Sequence, residues 1–436
     1  MSEHKNAGAE IRTPWGNASE LRHRRLYPGS GTPPAEVARN QRERMFGAML
    51  AVVSVQGYEA TTVADVLALS GVSRSAFYRH FASKSECMVA AVSELLEPAI
   101  EALDPADRDG QPREPRQIFE RFFRLLRSQP AAAQAYFVEL HAVGAEGDAV
   151  GDRAVELLAG AIEDAWATRP DHGGPDPALT RALVGGLGKL IHTRLIRGDA
   201  DELPDLAPDL WRWITQVSPP PGRLESPRRN RPAVGPTFQG YTPVERIAGA
   251  VASVVAENGY AQTSTDAIAA RASISLSTFY AHFSDKQDAV LAALEMSGAQ
   301  IMALAVPAAR RAGDWTEGVR TLYEAICAYF SAEPAMAELA LVGVYGAGPR
   351  ACGRRDRVLD SLAAMLAPGF SENPAAPPIG AEAIGATVYA LLRDRLRREG
   401  PENLAAVVPL ATYITLVGFV GPERALAVAN GRTARQ

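Results

Sequence analysis

Cysteine is scarce in this chain: Cys87, Cys327 and Cys352 are the only three in 436 residues, and they lie far apart. An odd, scattered set excludes a disulfide framework and suits a reducing cytosol, where each thiol serves as a small buried hydrophobe. No secretory signal is visible either, and none is expected. The first thirty residues are polar, with His4, Lys5, Arg12 and the cluster Arg22, His23, Arg24 and Arg25, and they hold no apolar run. No membrane span is expected. The longest uncharged apolar run, 404–420, makes a helix of about 26 Å, short for a bilayer, and Pro409 interrupts it. A buried packing helix is expected there, no membrane contact, and a cytoplasmic protein. Excess charge of one sign is also absent: 45 Lys+Arg against 50 Asp+Glu leave −5. That excludes a histone-like basic coat. It leaves nucleic-acid recognition open, because phosphate binding needs only a local basic face.

Catalytic signatures are missing too. No set of His, Cys and carboxylates has metal-ligand spacing, and there is no nucleophile elbow or dinucleotide fingerprint. Gly188-Lys189 fails as a phosphate loop, since Leu183 stands where that motif needs glycine and Leu190 where it needs Ser or Thr. The expectation is a protein that is not an enzyme and that has no metal and no cofactor.

Repetition is what the chain has instead. Shifted by 202, residues 43–86 lie on 245–288 without a gap and with 17 identities over 44 positions. Farther on, Ala182, Leu190, Arg194, Leu195, Leu203 and Pro208 recur at a shift of 201 as Ala383, Leu391, Arg395, Leu396, Leu404 and Pro409. A unit of this length is a whole domain rather than a solenoid repeat. Residues 218–236, with six prolines and four arginines, read as a semi-extended linker.

Each copy reads as all helix. Met45, Met49, Val52 and Val53 form a helical stripe over 42–56, and Gly57 is placed to stop it. Thr62 with Asp65 resembles a capping pair for a helix over about 63–69. After Ser70-Gly71-Val72, Ser73 caps a short helix, 74–80, and a fourth helix begins near Lys84. Two short helices around a glycine turn make a helix-turn-helix, the shape that lets one helix enter the major groove while the other braces it. Thr62 and Ser73 offer hydroxyls and free N–H groups to phosphates. Arg74, Ser75 and Arg79 lie on the outward side, Phe77 and Phe81 inward, and Tyr78, His80 and Lys84 where backbone oxygens pass.

The run from Thr61 to Phe81, with Lys84, resembles the DNA-binding signature of TetR-family transcriptional regulators. The second copy is similar through Ser264, Ser275, Leu276, Ser277, Thr278, Tyr280, His282 and Lys286. The motif covers about 45 residues of each copy. The resemblance implies an all-α protein of two TetR-like units. Each would be a three-helix head on a helical effector-binding and dimerisation body, and together they would form an intramolecular pseudo-dimer. The implied organisation is a flexible N-terminal arm (1–38), a first head (39–99), a first body (100–217), a linker (218–240), a second head (241–301) and a second body (302–436). Double-stranded DNA and a small, apolar effector are the implied partners, with further oligomerisation left open, and repression relieved by the effector is the implied activity.

The second head departs from the pattern. Gly71 becomes Ser273, at a turn where positive φ costs a non-glycine residue about 1 kcal/mol. Arg74 becomes Leu276 and Arg79 becomes Ala281. Two unequal heads would read an asymmetric operator. The alternative is a ligand-sensing or interaction protein whose second head no longer binds DNA. The arginines of 22–25 and 228–231 lie upstream of the heads, either as arms reaching DNA or as solvated charge.

The bodies say less. Gly185, Gly186 and Gly188, with Gly385 in the second copy, mark helices that approach closely, so the two bodies are expected to pack together. Phe122, Phe123, Tyr136, Phe137, His141 and Trp166 in the first body are effector-cavity candidates. So are Tyr323, Tyr329, Phe330 and Tyr345 in the second.

Overall fold

The computed structural model describes residues 11–27, 32–102, 114–167, 176–225 and 240–432. The first repeat runs α1 (Pro34–Gln56), α2 (Val63–Ser70), α3 (Arg74–His80), α4 (Lys84–Ala102), α5 (Pro115–Ser128), α6 (Pro130–Phe137), α7 (Ala145–Ala167), α8 (Pro177–Arg197) and α9 (Leu203–Gln216). The second runs α10 (Pro243–Gln262), α11 (Thr265–Arg271), α12 (Leu276–His282), α13 (Lys286–Arg310), α14 (Trp315–Ala332), α15 (Pro334–Glu338) and α16 (Val344–Gly346). It continues with α17 (Pro349–Ala363), α18 (Ala367–Glu372), α19 (Gly380–Glu399), α20 (Val408–Val420) and α21 (Pro422–Ala429). A π-helical turn, Leu339–Gly343, joins α15 to α16. The all-α expectation holds, apart from one two-residue hairpin near the N-terminus.

The chain divides into two compact units that do not follow the repeat boundary. One comprises Met1–Ala154 with Ile191–Pro208, the other Val155–Leu190 with Asp209–Gln436. The first repeat therefore lends part of α7, most of α8 and the end of α9 to the unit that holds the second.

In the first unit, α1 supplies the spine. Pro34 sits at its first position, where a missing N–H costs no hydrogen bond. Met45, Met49, Leu50 and Val53 face a core shared with Val66, Phe77, Phe81, Met88 and Val92. The N-terminal segment corrects the expectation of a flexible arm. Arg12–Thr13 and Gly16–Asn17 pair as an antiparallel hairpin. Trp15 packs on Phe46 with ring centroids 5.2 Å apart, and Leu21 is fully buried. Full burial of one leucine stabilises by about 1.5–3 kcal/mol, which is enough to hold a short polar segment down. Asn40 completes the clasp, accepting from the Leu26 N–H at 3.3 Å and donating to the Arg24 carbonyl at 3.1 Å.

In the second unit, α13 packs on α10, α14 and α17, and α17 also packs on α19. The residues Val408–Val417 of α20 are buried on every side, as expected for a packing helix. Lys286–Arg310 and Pro401–Val420 have the length and composition of membrane spans, yet half and two-thirds of their apolar windows are buried within the protein. At Gly186 of α8 a Cβ would lie 2.7 Å from the Thr387 Cα of α19, so these helices meet backbone to backbone, which only glycine allows. The start of the linker is docked. The Tyr413 hydroxyl donates to the Pro219 carbonyl at 3.2 Å, and Asn430 donates to the Arg223 carbonyl at 3.0 Å. Arg228, Arg229 and Arg231 lie outside the described residues.

Candidate nucleic-acid interface and effector cavity

The first head is built from local hydrogen bonds. Thr62 caps α2 in a full capping box: its hydroxyl accepts from the Asp65 N–H at 3.3 Å, and the Asp65 carboxylate accepts from the Thr62 N–H at 2.8 Å. Gly71 ends α2 in the left-handed region, at φ +64°. Ser73 then caps α3, accepting from the Ala76 N–H at 3.2 Å. Burial of Ala76, Phe77 and Phe81 fixes which side of α3 faces out. Ser73, Arg74, Ser75, Tyr78 and Arg79 are exposed, with the Arg74 guanidinium 5.8 Å from the Tyr78 ring centroid. This is the composition a groove-reading helix needs: two guanidinium groups, hydroxyls and an exposed phenol on one face.

Three of the expected contact residues also carry internal duties. His80 lies 3.0 Å from the Gln41 side chain. Burial, then the nearby Arg42 and Arg79, lower its pKa below the usual imidazole value, which favours the neutral ring. The Lys84 ammonium donates to the Tyr58 and Thr61 carbonyls, each at 2.8 Å, and lies 4.0 Å from the Tyr58 ring centroid. Lys286 repeats this staple with the Tyr260 and Thr263 carbonyls at 2.9 and 3.0 Å.

The second head keeps the frame and changes the face. Ser264 and Ser275 cap α11 and α12 as Thr62 and Ser73 do. Ser273 adopts φ +53°, the single positive-φ non-glycine among the described residues. Leu276, Ser277, Tyr280 and His282 are exposed and Thr278 is half-buried. The α12 face therefore bears no guanidinium. On α11, Arg271 is tied to Glu257 by two bonds of 2.8 and 2.6 Å.

Two features escaped the sequence reading. Arg44 is buried in α1 and donates to the Ser70 carbonyl at 2.7 Å, holding the end of α2, whereas Arg246 in the second copy is exposed. The hairpin is the other. A Cβ on Gly71 would come 2.7 Å from Arg22 Cγ, so Arg22, in the turn that follows the hairpin, is seated over the helix-turn-helix turn. Trp15 and Leu21, apolar islands in a polar stretch, were the available signal.

The second body contains an apolar cavity of about 90 Å³ between α13, α14, α17 and α19. Tyr323 and Phe330 line it. Tyr329 instead closes the core, donating to Ser297 at 2.9 Å, and Tyr345 packs 4.8 Å from the Arg355 guanidinium. Arg355 is the one charged residue on the wall among the described residues. Its Nε donates to Asp356 at 2.8 Å, and Asp356 also accepts from Lys189 of α8 at 2.9 Å. Burial would push the Asp356 carboxyl up, but Arg355 and then Lys189 outweigh it and hold it at about 2. In the first body Phe123 is core, Tyr136 and Phe137 are half-buried partners at 4.7 Å, and His141 lies 3.4 Å from Asp148. The Trp166 side chain falls outside the described residues. All three cysteines are free and buried, and burial raises Cys87 and Cys327 to about 12.

Two capped, solvent-facing helix-turn-helix heads in one chain have the form of DNA-binding domains. The sequence signature of "Bacterial regulatory proteins, tetR family" matches residues 48–91 and 247–293, one match on each head. The chain thus carries two tandem heads of the TetR type. No curated protein matches it. Solved structures similar to it include the fatty acid degradation regulator FadR from Bacillus halodurans, at 16% identity and TM-score 0.34, covering 41% of this chain and 98% of that one. A TetR family transcription regulator from Marinobacter aquaeolei VT8 gives 19%, 0.33, 39% and 94% for the same quantities. The transcriptional regulator FadR from Bacillus subtilis in complex with stearoyl-CoA gives 15%, 0.35, 40% and 97%.

Proposed function

We propose that this chain is a cytoplasmic repressor that grips duplex DNA with two unequal heads and is released by a small, apolar effector. The observation that carries the reading is the α3 face, where Arg74, Ser75, Tyr78 and Arg79 stand exposed above the anchors Phe77 and Phe81. Arg74 reads a guanine edge, worth about 1–3 kcal/mol of discrimination. Thr62, Ser73 and Arg79 hold phosphates, together with the third N–H of Lys84. Arg22 and Arg25, seated by the hairpin, extend this grip beside the turn.

In the second head, Ser264, Ser275, Ser277, Tyr280, His282 and Lys286 take the backbone positions, and Leu276 and Thr278 meet thymine methyls. The operator is therefore asymmetric. Contact of α8 with α19 supports an intramolecular pseudo-dimer in place of a two-chain one. The cavity beneath α17 is where the effector acts.

A gel shift of the full chain on the DNA upstream of its own gene tests this. Arg74→Ala with Tyr78→Ala abolishes the shift on this reading, and an unchanged shift would mean the first head is not the reader. A second reading is favoured by the loss of both guanidinium groups on α12 and the strained Ser273: the second head adds little to binding. Footprinting distinguishes the two, since protection of a single half-site belongs to the second reading.

A further inference from the structure

The cavity of the second body is walled by uncharged residues with one exception, and the Ser297, Tyr323 and Tyr389 hydroxyls on that wall are already hydrogen-bonded. Leu294, Leu322, Leu359, Ile384 and Val388 give it an aliphatic face, and Gly385 leaves open space where a side chain would intrude. The exception is Arg355, which is 6% exposed. Its guanidinium is held in a fixed place, between the Tyr345 and Tyr389 rings at 4.8 Å each, with Nε on Asp356 at 2.8 Å and Nη1 on the Tyr389 hydroxyl at 3.3 Å. Tyr389 in turn donates to the Ala340 and Leu341 carbonyls of the π-helical turn, at 3.1 and 2.9 Å. Such turns concentrate at functional positions.

Arg355 Nη2 is buried and has no hydrogen-bond partner. A buried donor on a cation that meets no acceptor costs the full desolvation of that group. A protein core retains such a group when something else completes it. Asp356 does not, because it lies on the Nε side and is shared with Lys189. Glu382 adds a second acid to the field of Lys189, and Arg355 Nη2 is left as the unmet donor on the one charged residue of the wall.

We propose that this cavity binds an unbranched medium-chain monocarboxylate, its tail among the leucines and its carboxylate on Arg355 Nη2. A neutral alcohol fits the tail but forgoes the charge-assisted bond, which is shorter and stronger than a neutral one. A phosphate dianion needs several donors, and the wall offers one cation. At about 10–15 Å³ per water-sized site, the cavity holds roughly six to nine such sites, which an eight-carbon chain fills. The inference deepens the effector reading above and rests on it, but its test is done without DNA.

Isothermal titration of the full chain with octanoate, octan-1-ol and octyltrimethylammonium decides it. The expected result is one octanoate per chain, bound about ten- to a hundredfold tighter than octanol, with the ammonium weakest. Arg355→Met, with its fold checked by circular dichroism, brings octanoate down to the level of octanol and leaves octanol unchanged. Leu359→Trp fills the space and removes both. Equal binding of acid and alcohol by the unmodified chain would overturn the proposal, and that comparison needs no variant. Retained acid preference in Arg355→Met, unchanged binding in Leu359→Trp, or no octanoate binding at millimolar concentration would overturn it too. A gel shift on the same preparation separates the two readings. Operator binding without octanoate binding sinks this inference alone, and octanoate binding without operator binding sinks the regulator reading.

Discussion

Arg22 packs over Gly71, with its Cγ 2.7 Å from the point where a Cβ on that glycine would stand. The turn that follows the hairpin thus lies against the turn between α2 and α3, with Arg22 just ahead of the reading helix. Replacing Arg22 and Arg25 by alanine is expected to weaken operator binding and to lower the salt slope by about one for each phosphate that these side chains neutralise. Gel shifts across a salt series measure the slope, and an unchanged slope would mean these arginines only solvate the hairpin.

The two turns respond oppositely to the same exchange. Ser273 holds φ +53° and Gly71 holds φ +64°. Ser273→Gly relieves left-handed strain, partly offset by the added freedom of the unfolded chain, and is expected to raise stability by up to about 1 kcal/mol. Gly71→Ser introduces the strain and also pushes on Arg22, so it is expected to cost more than about 1 kcal/mol. Urea midpoints of the two variants check the signs.

Lys84 satisfies two carbonyls of the loop before α2, at 2.8 Å each. Lys84→Met leaves both without their donor. A destabilisation of about 2 kcal/mol is expected, the range for hydrogen bonds to a charged group. Chemical denaturation reads this directly, and full stability in the variant would contradict the staple.

Acid lability has an identifiable source. The Asp356 carboxyl is held at about 2 against an ordinary value of 3.8. Its folded pKa is depressed, so its contribution is present above about pH 4 and is lost as pH falls toward 2. The difference corresponds to roughly 2 kcal/mol. Stability measured from pH 5 to pH 2 should fall more steeply in the unmodified protein than in Asp356→Asn, which starts lower because Arg355 and Lys189 lose their shared acid.

The heads were legible in the sequence because their determinants are local. The Thr62–Asp65 box, the Ser73 cap and the glycine turn fix the helices within a few residues, and Phe77 and Phe81 fix the outward face. Repetition of the same pattern at Ser264, Ser275 and Phe279 made the second head equally readable. What was not legible depends on contacts distant in sequence. Arg355 stands in the charged run Gly353-Arg354-Arg355-Asp356-Arg357 and looks like surface, but Lys189, 166 positions earlier, takes the other side of its acid. Lys189 itself looked like a failed phosphate loop. The hairpin was hidden by its polar composition, since two apolar side chains, Trp15 and Leu21, are enough to dock it. Aromatic content misplaced part of the cavity: Tyr329 and Tyr345 pack beside it, while aliphatic residues of α17 and α19 form the wall.

The central claim is that α3 of the first head reads DNA. Affinity for the chain's own upstream DNA, measured side by side for Arg74→Ala/Tyr78→Ala and Leu276→Ala/Tyr280→Ala, tests it most directly. The account predicts that the first pair abolishes specific binding and that the second weakens it while leaving a shift. Unchanged affinity in the first pair, or a larger loss in the second, would contradict it.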